Sequence, residues 1–140
     1  MRHKLYTSLV ILAAAMILLS TKSIAQNLNH NFGFSFSSIA VSNLINGINS
    51  SNAGLSKSSI YFAGLYKVHE ASSTLVKILT DRTRDRWIRV YAALSLYNIG
   101  ETGAYNEIQK LAANEDDLKV RNICAAIYAE YLNRLQASSN

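Results

Sequence analysis

Proline is absent from this 140-residue chain, cysteine occurs once, and only 16% of the residues are charged. One thiol cannot close an internal bridge, so a disulfide scaffold is excluded. The lack of proline and the sparse charge exclude collagen-like, proline-rich and strongly charged disordered chains. Neither a glycine-rich phosphate loop nor a nucleophile elbow occurs, since the 6 glycines are scattered at turns and helix ends. The length corresponds to one small domain with a modest core.

The first residues have the pattern of an export signal. Arg2, His3 and Lys4 precede an uninterrupted apolar run, Leu9 to Leu19, and a polar stretch, Ser20 to Ser23. Ser23 and Ala25 put small residues at the two positions a signal peptidase reads, so residues 1–25 are read as a secretory signal cleaved before Gln26. A run of 11 residues falls short of the roughly 20 that a spanning helix needs. Without Arg2, Lys4 and Lys22, 11 basic side chains face 9 acidic ones, and the net charge falls from +5 to +2. Most of the electrostatic case for nucleic acid or anionic lipid goes with the signal. The expected partners therefore include no nucleic acid, and no membrane beyond the signal.

Residues 26–38 are read as a flexible arm, with Phe32, Phe34 and Phe36 alternating along it. Beyond the arm the chain repeats itself. Ile88, Ala92, Ala93, Leu96 and Ile99 have helical spacing, and a shift of 32 reproduces it at Val120, Cys124, Ala125 and Tyr128. A shift of 33 backwards gives a weaker copy at Leu55, Ser59, Ile60, Ala63 and Gly64. Asn52, Asp85 and Asp117 stand three places before each copy, where a short side-chain oxygen caps a helix N-terminus. A second helix per unit follows from Ala71, Leu75, Ile78 and Leu79, which superimpose on Ala104, Ile108, Leu111 and Ala112. An earlier counterpart spans Val41 to Ile48. Six helices are thus expected, second and first types alternating, the last from Leu118 to about Leu135.

The run Ile88-Arg89, Ala92-Ala93, Leu96, Ile99-Gly100, followed by Ala104, Ile108 and Leu111, resembles HEAT repeats, in particular the short bacterial form shared with phycobilisome lyases. The resemblance covers about residues 41–135. Ser56 departs from it, standing where the family prefers Arg. The implied fold is all-α, a short right-handed α-solenoid of about three helix pairs over residues 39–136, with 137–140 frayed. Stacking such pairs makes one continuous core from faces that none could cover alone. For Arg89 and Arg121 the resemblance implies pairing between repeats, with Asp85 and Asp117 as helix caps. The last helix is expected to cap the array or to use Ile127, Tyr131 and Leu135 as an interface.

Candidate chemistry is thin. His30 and His69 have no partner at metal-ligand spacing, so neither a metal nor a cofactor is expected. Cys124 occupies a position held by Ala92 and Ser59 in the other copies and is read as a small core residue. The segment Asp81-Arg82-Thr83-Arg84-Asp85-Arg86-Trp87 could bind phosphate or stack on bases. Asp81 and Asp85 offset part of its charge, and local pairing is the preferred reading.

The expected binding surface is the second-helix face, where the shift of 33 relates Ser72, Ser73, Val76 and Lys77 to Tyr105, Asn106, Gln109 and Lys110. Lys77, Tyr105, Gln109 and Lys110 are the candidates, Tyr105 being the anchor. The resulting expectation is a non-enzymatic, exported module, periplasmic or secreted, that binds a protein partner. Self-association into an envelope subunit is the alternative, and a lyase or chromophore-handling role follows only by fold analogy.

Overall fold

The computed structural model describes residues 37–139. The signal, its cleavage site, His30 and the alternating phenylalanines lie outside the described residues. Within them the chain forms six α-helices: α1 (Ser38–Ile48), α2 (Ala53–Leu65), α3 (Ser72–Thr80), α4 (Arg86–Ile99), α5 (Ala104–Asn114) and α6 (Leu118–Ser138). A single 3-10 turn, His69–Ala71, leads into α3. The ends differ slightly from those expected. Ser37 Oγ accepts from the Ala40 amide, so α1 starts inside the stretch assigned to the arm. At the other end α6 runs through Ser138, and Ser138 and Ser139 donate their hydroxyls to the Leu135 carbonyl.

The polar residues that punctuate the sequence set the helix starts. Asn52 accepts from the Leu55 amide at 3.0 Å, Asp85 from Trp87 and Ile88 at 3.0 and 3.3 Å, and Asp117 from Lys119 and Val120 at 2.9 and 3.3 Å. Each cap satisfies amides that the first turn leaves without a partner. Gly100, at φ 78°, closes α4 in a left-handed conformation that side chains other than glycine resist.

Packing follows the repeat. α1 pairs with α2, α3 with α4 and α5 with α6, while α2 lies against α4 and α4 against α6. α3 has lighter contact with α1 and α5. The last helix packs on both α5 and α4, because the close pairs form across the turns that precede α2, α4 and α6. Ile48, Ile60, Leu75, Leu79, Leu96, Ile108, Val120 and Cys124 make the fully buried centre. Burying each large side chain of this kind contributes about 1.5–3 kcal/mol. Close approach of α2 to α4 depends on small residues: Gly64 lies over Ser95, whose hydroxyl donates to the Ile60 carbonyl at 2.8 Å.

No described helix is long and apolar enough to cross a membrane.

Candidate functional site

Four residues after each side-chain cap of the α2, α4 and α6 row stands a donor that reaches back to the preceding turn. Ser56 donates to the Ile48 carbonyl at 2.8 Å, Arg89 to the Leu79 carbonyl at 2.9 Å, and Arg121 to the Glu115 carbonyl at 3.2 Å. All three satisfy a carbonyl at the C-terminus of the helix before, which has no intrahelical partner. Ser56 thus performs the backbone part of the arginine's work with a shorter side chain.

Arg89 does more. Its other two nitrogens grip both oxygens of Glu115, at 3.2 and 2.5 Å, while Glu115 also accepts from the Asp117 amide at 3.1 Å. Arg89 is 3% exposed and Glu115 2%. The bidentate guanidinium beside it, assisted by the Asp117 amide, holds the Glu115 carboxyl below the ordinary carboxylate range despite burial. Around this buried pair, Arg82 contacts Asp116 at 2.6 Å and Arg86 contacts Asp117 at 2.9 Å, joining the turn before α4 to the turn before α6.

These groups line an open cleft of about 430 Å³ with Trp87 at its edge. Each of its four arginines has a carboxylate within 4.0 Å, Arg84 using Asp81 at 3.7 Å. The charge-dense segment is therefore a brace between successive turns. Asp85 and Asp117 cap their helices, and Asp117 also takes part in the brace.

Of the expected binding residues, Lys77, Gln109 and Lys110 are exposed on α3 and α5, with Lys110 paired to Glu107 at 2.6 Å. Tyr105 requires correction: it is 5% exposed and stacks on Tyr131 of α6, centroids 3.9 Å apart. Burial pushes its hydroxyl pKa up. The physical reason lies in its helix, where Ala104, Tyr105, Ile108 and Leu111 form one inward stripe against α6. Ser72, its counterpart by the repeat, is likewise buried. The surface assigned to α3 and α5 loses its anchor and, apart from half-buried Val76, is polar. Of the three interface candidates on α6, Ile127 is buried and Tyr131 half-buried, while Leu135 is exposed.

Apart from Ile39 of α1, the large exposed apolar side chains of the described helices lie on the other row. Trp87, Tyr91 and Leu94, spaced i, i+4, i+7, form one outward face of α4 and are 48%, 40% and 39% exposed. Tyr61 of α2 takes the same register position as Leu94, and Leu65 follows it one turn later, both exposed. Lys119 of α6 places its ammonium 5.7 Å from the Trp87 ring centre. The signal for this face was present in the sequence as a second apolar stripe on α4, outside the core stripe.

Cys124 is fully buried, and desolvation raises its thiol pKa to about 11. We expect native protein at pH 8 to react with a disulfide reagent at least tenfold more slowly than urea-unfolded protein, because the thiolate is the nucleophile. Equal rates would place the thiol at the surface. His69 meets Glu101 at 3.5 Å on an exposed turn, and among the described residues no cluster of His, Cys, Asp or Glu is arranged to hold a metal ion. Compared with models of protein families the chain matches none, and among curated proteins it matches no relative.

Proposed function

We propose that this chain is an exported protein-interaction module, a short α-solenoid of HEAT-like helix pairs without catalysis of its own, which binds a protein partner through the outward face of α2 and α4. The observation that carries the reading is the face made by Trp87, Tyr91 and Leu94 with Tyr61 and Leu65. Aromatic side chains on a rigid support are what interface centres use, because they bury much area with few rotamers to fix. The support here is braced: Trp87 follows the cap of α4 directly, and the two arginines beside it in the helix, Arg86 and Arg89, are tied to the next turn. The charged cleft and Lys119 give that face a polar rim at the Trp87 end. Compartment and solenoid geometry rest on the N-terminal pattern, the repeat period and the stacking of α2, α4 and α6.

Affinity purification of the full chain from the envelope of its own host tests the proposal. The expected result is one stoichiometric protein partner. Trp87→Ala or Tyr91→Ala should each weaken its affinity by about 30-fold, the effect of losing roughly 2 kcal/mol at an interface centre. Lys77→Glu, on the polar face, should leave it within about twofold. A partner whose affinity is insensitive to both aromatic substitutions would overturn the assignment of the face, and recovery of the protein alone would overturn the module.

A further inference from the structure

One contact builds the row of α2, α4 and α6, and it has two sides. On the side turned toward the preceding helix, the repeat superimposes Leu55 and Phe62 of α2 on Ile88 and Ser95 of α4 and on Val120 and Ile127 of α6. The α4 and α6 members are buried, none more than 6% exposed, whereas Leu55 and Phe62 are 52% and 43% exposed. On the opposite side, Ile60 and Gly64 of α2 superimpose on Ala93 and Tyr97 of α4 and on Ala125 and Ala129 of α6. There the first two pairs are covered by the following helix, and Ala125 and Ala129 are exposed, flanked by Leu118 and Leu132. The two open faces are thus the two halves of the interface that the chain already makes twice within itself.

The geometry points to a second copy of this chain as the occupant: the α2 face of one molecule stacks on the α6 face of another and continues the row head to tail. Side-chain sizes agree with this. Where α2 meets α4 the crossing is Gly64 on Ser95, small on small. The next crossing sets Tyr97 opposite Ile127 in register, large on large. Between copies, Phe62 would meet Ala129, a ring over a position with room for it. Such a contact is heterologous, so a dimer still carries one free face of each kind, and assembly continues with concentration past the dimer, toward a ring or a filament.

Sedimentation of the protein purified from its host, together with two variants, tests the inference. The wild-type mass should rise progressively with concentration. Phe62→Glu and Ala129→Glu, each altering an exposed position and each checked for unchanged helical content, should be monomeric alone. Mixed in equal amounts, they should form a species of twice the monomer mass and nothing larger, because one intact α2 face and one intact α6 face remain. A wild-type protein that stays monomeric, a variant that still assembles, or a mixture that does not pair would each overturn it. Tyr91→Ala lies on neither face and should assemble as wild type, which separates this inference from the partner-binding face.

Discussion

Replacing Glu115 with Ala should lower the unfolding free energy by about 3–5 kcal/mol, the range for removing one partner of a buried ion pair. Arg89 would then keep its charge in a site where it is 3% exposed, with only the Leu79 carbonyl remaining among its acceptors. For a small domain of ordinary stability that loss is a large part of the total, and urea titration would read it directly as a shift in midpoint. Glu115 also accepts from the Asp117 amide, so the substitution orphans that donor and loosens the turn whose carboxylates receive Arg82 and Arg86. The double variant Arg89→Met with Glu115→Met should regain part of the loss, because no charge is left stranded. Recovery should stay incomplete, since the Leu79 carbonyl and the Asp117 amide remain without their partners. A Glu115→Ala protein within 1 kcal/mol of wild type would show that the pair is not the brace.

The same pair sets a pH dependence. The folded-state pKa of Glu115 lies below its unfolded value, so its contribution is fully present above the ordinary glutamate pKa of about 4.3. It is lost as pH falls through the depressed folded value. Asp117 shifts in the same direction: burial pulls it up, but the Val120 and Lys119 amides and Arg86 outweigh that. Wild-type protein should therefore lose stability steeply below the ordinary carboxylate range, and Glu115→Gln should show a shallower acid limb in urea titrations at successive pH values.

The repeat was legible because it is carried by small side chains and caps rather than by hydrophobicity alone. Asn52, Asp85 and Asp117 marked three starts, the shift of 32 to 33 related five of the helices, and the amphipathic stretch Val41 to Ile48 gave the first. Glu115 was not legible. It closes α5 as one carboxylate in Glu115-Asp116-Asp117, and only the folded chain shows which of the three is enclosed. Tyr105 was misplaced because the shift of 33 grouped it with the outward positions Asn106, Gln109 and Lys110, although Ala104, Tyr105, Ile108 and Leu111 already had inward spacing. Trp87 enters the sequence reading only with the charge-dense segment, and Tyr91 and Leu94 fall outside the core spacing that marks the repeat. Here α4 carries one stripe for the core and another for the surface.

Gly64→Val should be the most damaging substitution at a glycine, by an amount comparable to the loss of Glu115. A Cβ built at Gly64 lies 2.7 Å from Ser95 Cα, which is backbone and cannot rotate away. α2 and α4 must part, which costs about 1–3 kcal/mol for overpacking, with about 1 kcal/mol more if Ser95 loses its bond to the Ile60 carbonyl. Because that crossing seats α2 on the central helix, the displacement should also loosen the contacts of Ile60 and Ala63. Gly47 offers the comparison: its closest neighbour is the Ser59 hydroxyl, a side chain able to turn aside, so Gly47→Ala should cost less than Gly64→Ala. Gly103 gives the opposite sign. It sits at φ −61° with open space where a Cβ would be, and Gly103→Ala should stabilise by about 0.4–1 kcal/mol through the unfolded state. Melting temperatures for the four variants should fall in the order Gly103→Ala, Gly47→Ala, Gly64→Ala, Gly64→Val, with roughly 4–8 °C per kcal/mol at this size. If Gly64→Val melts with the wild type, α2 and α4 do not cross at this distance, and the row that presents Tyr61 beside Leu94 is not held together in this way.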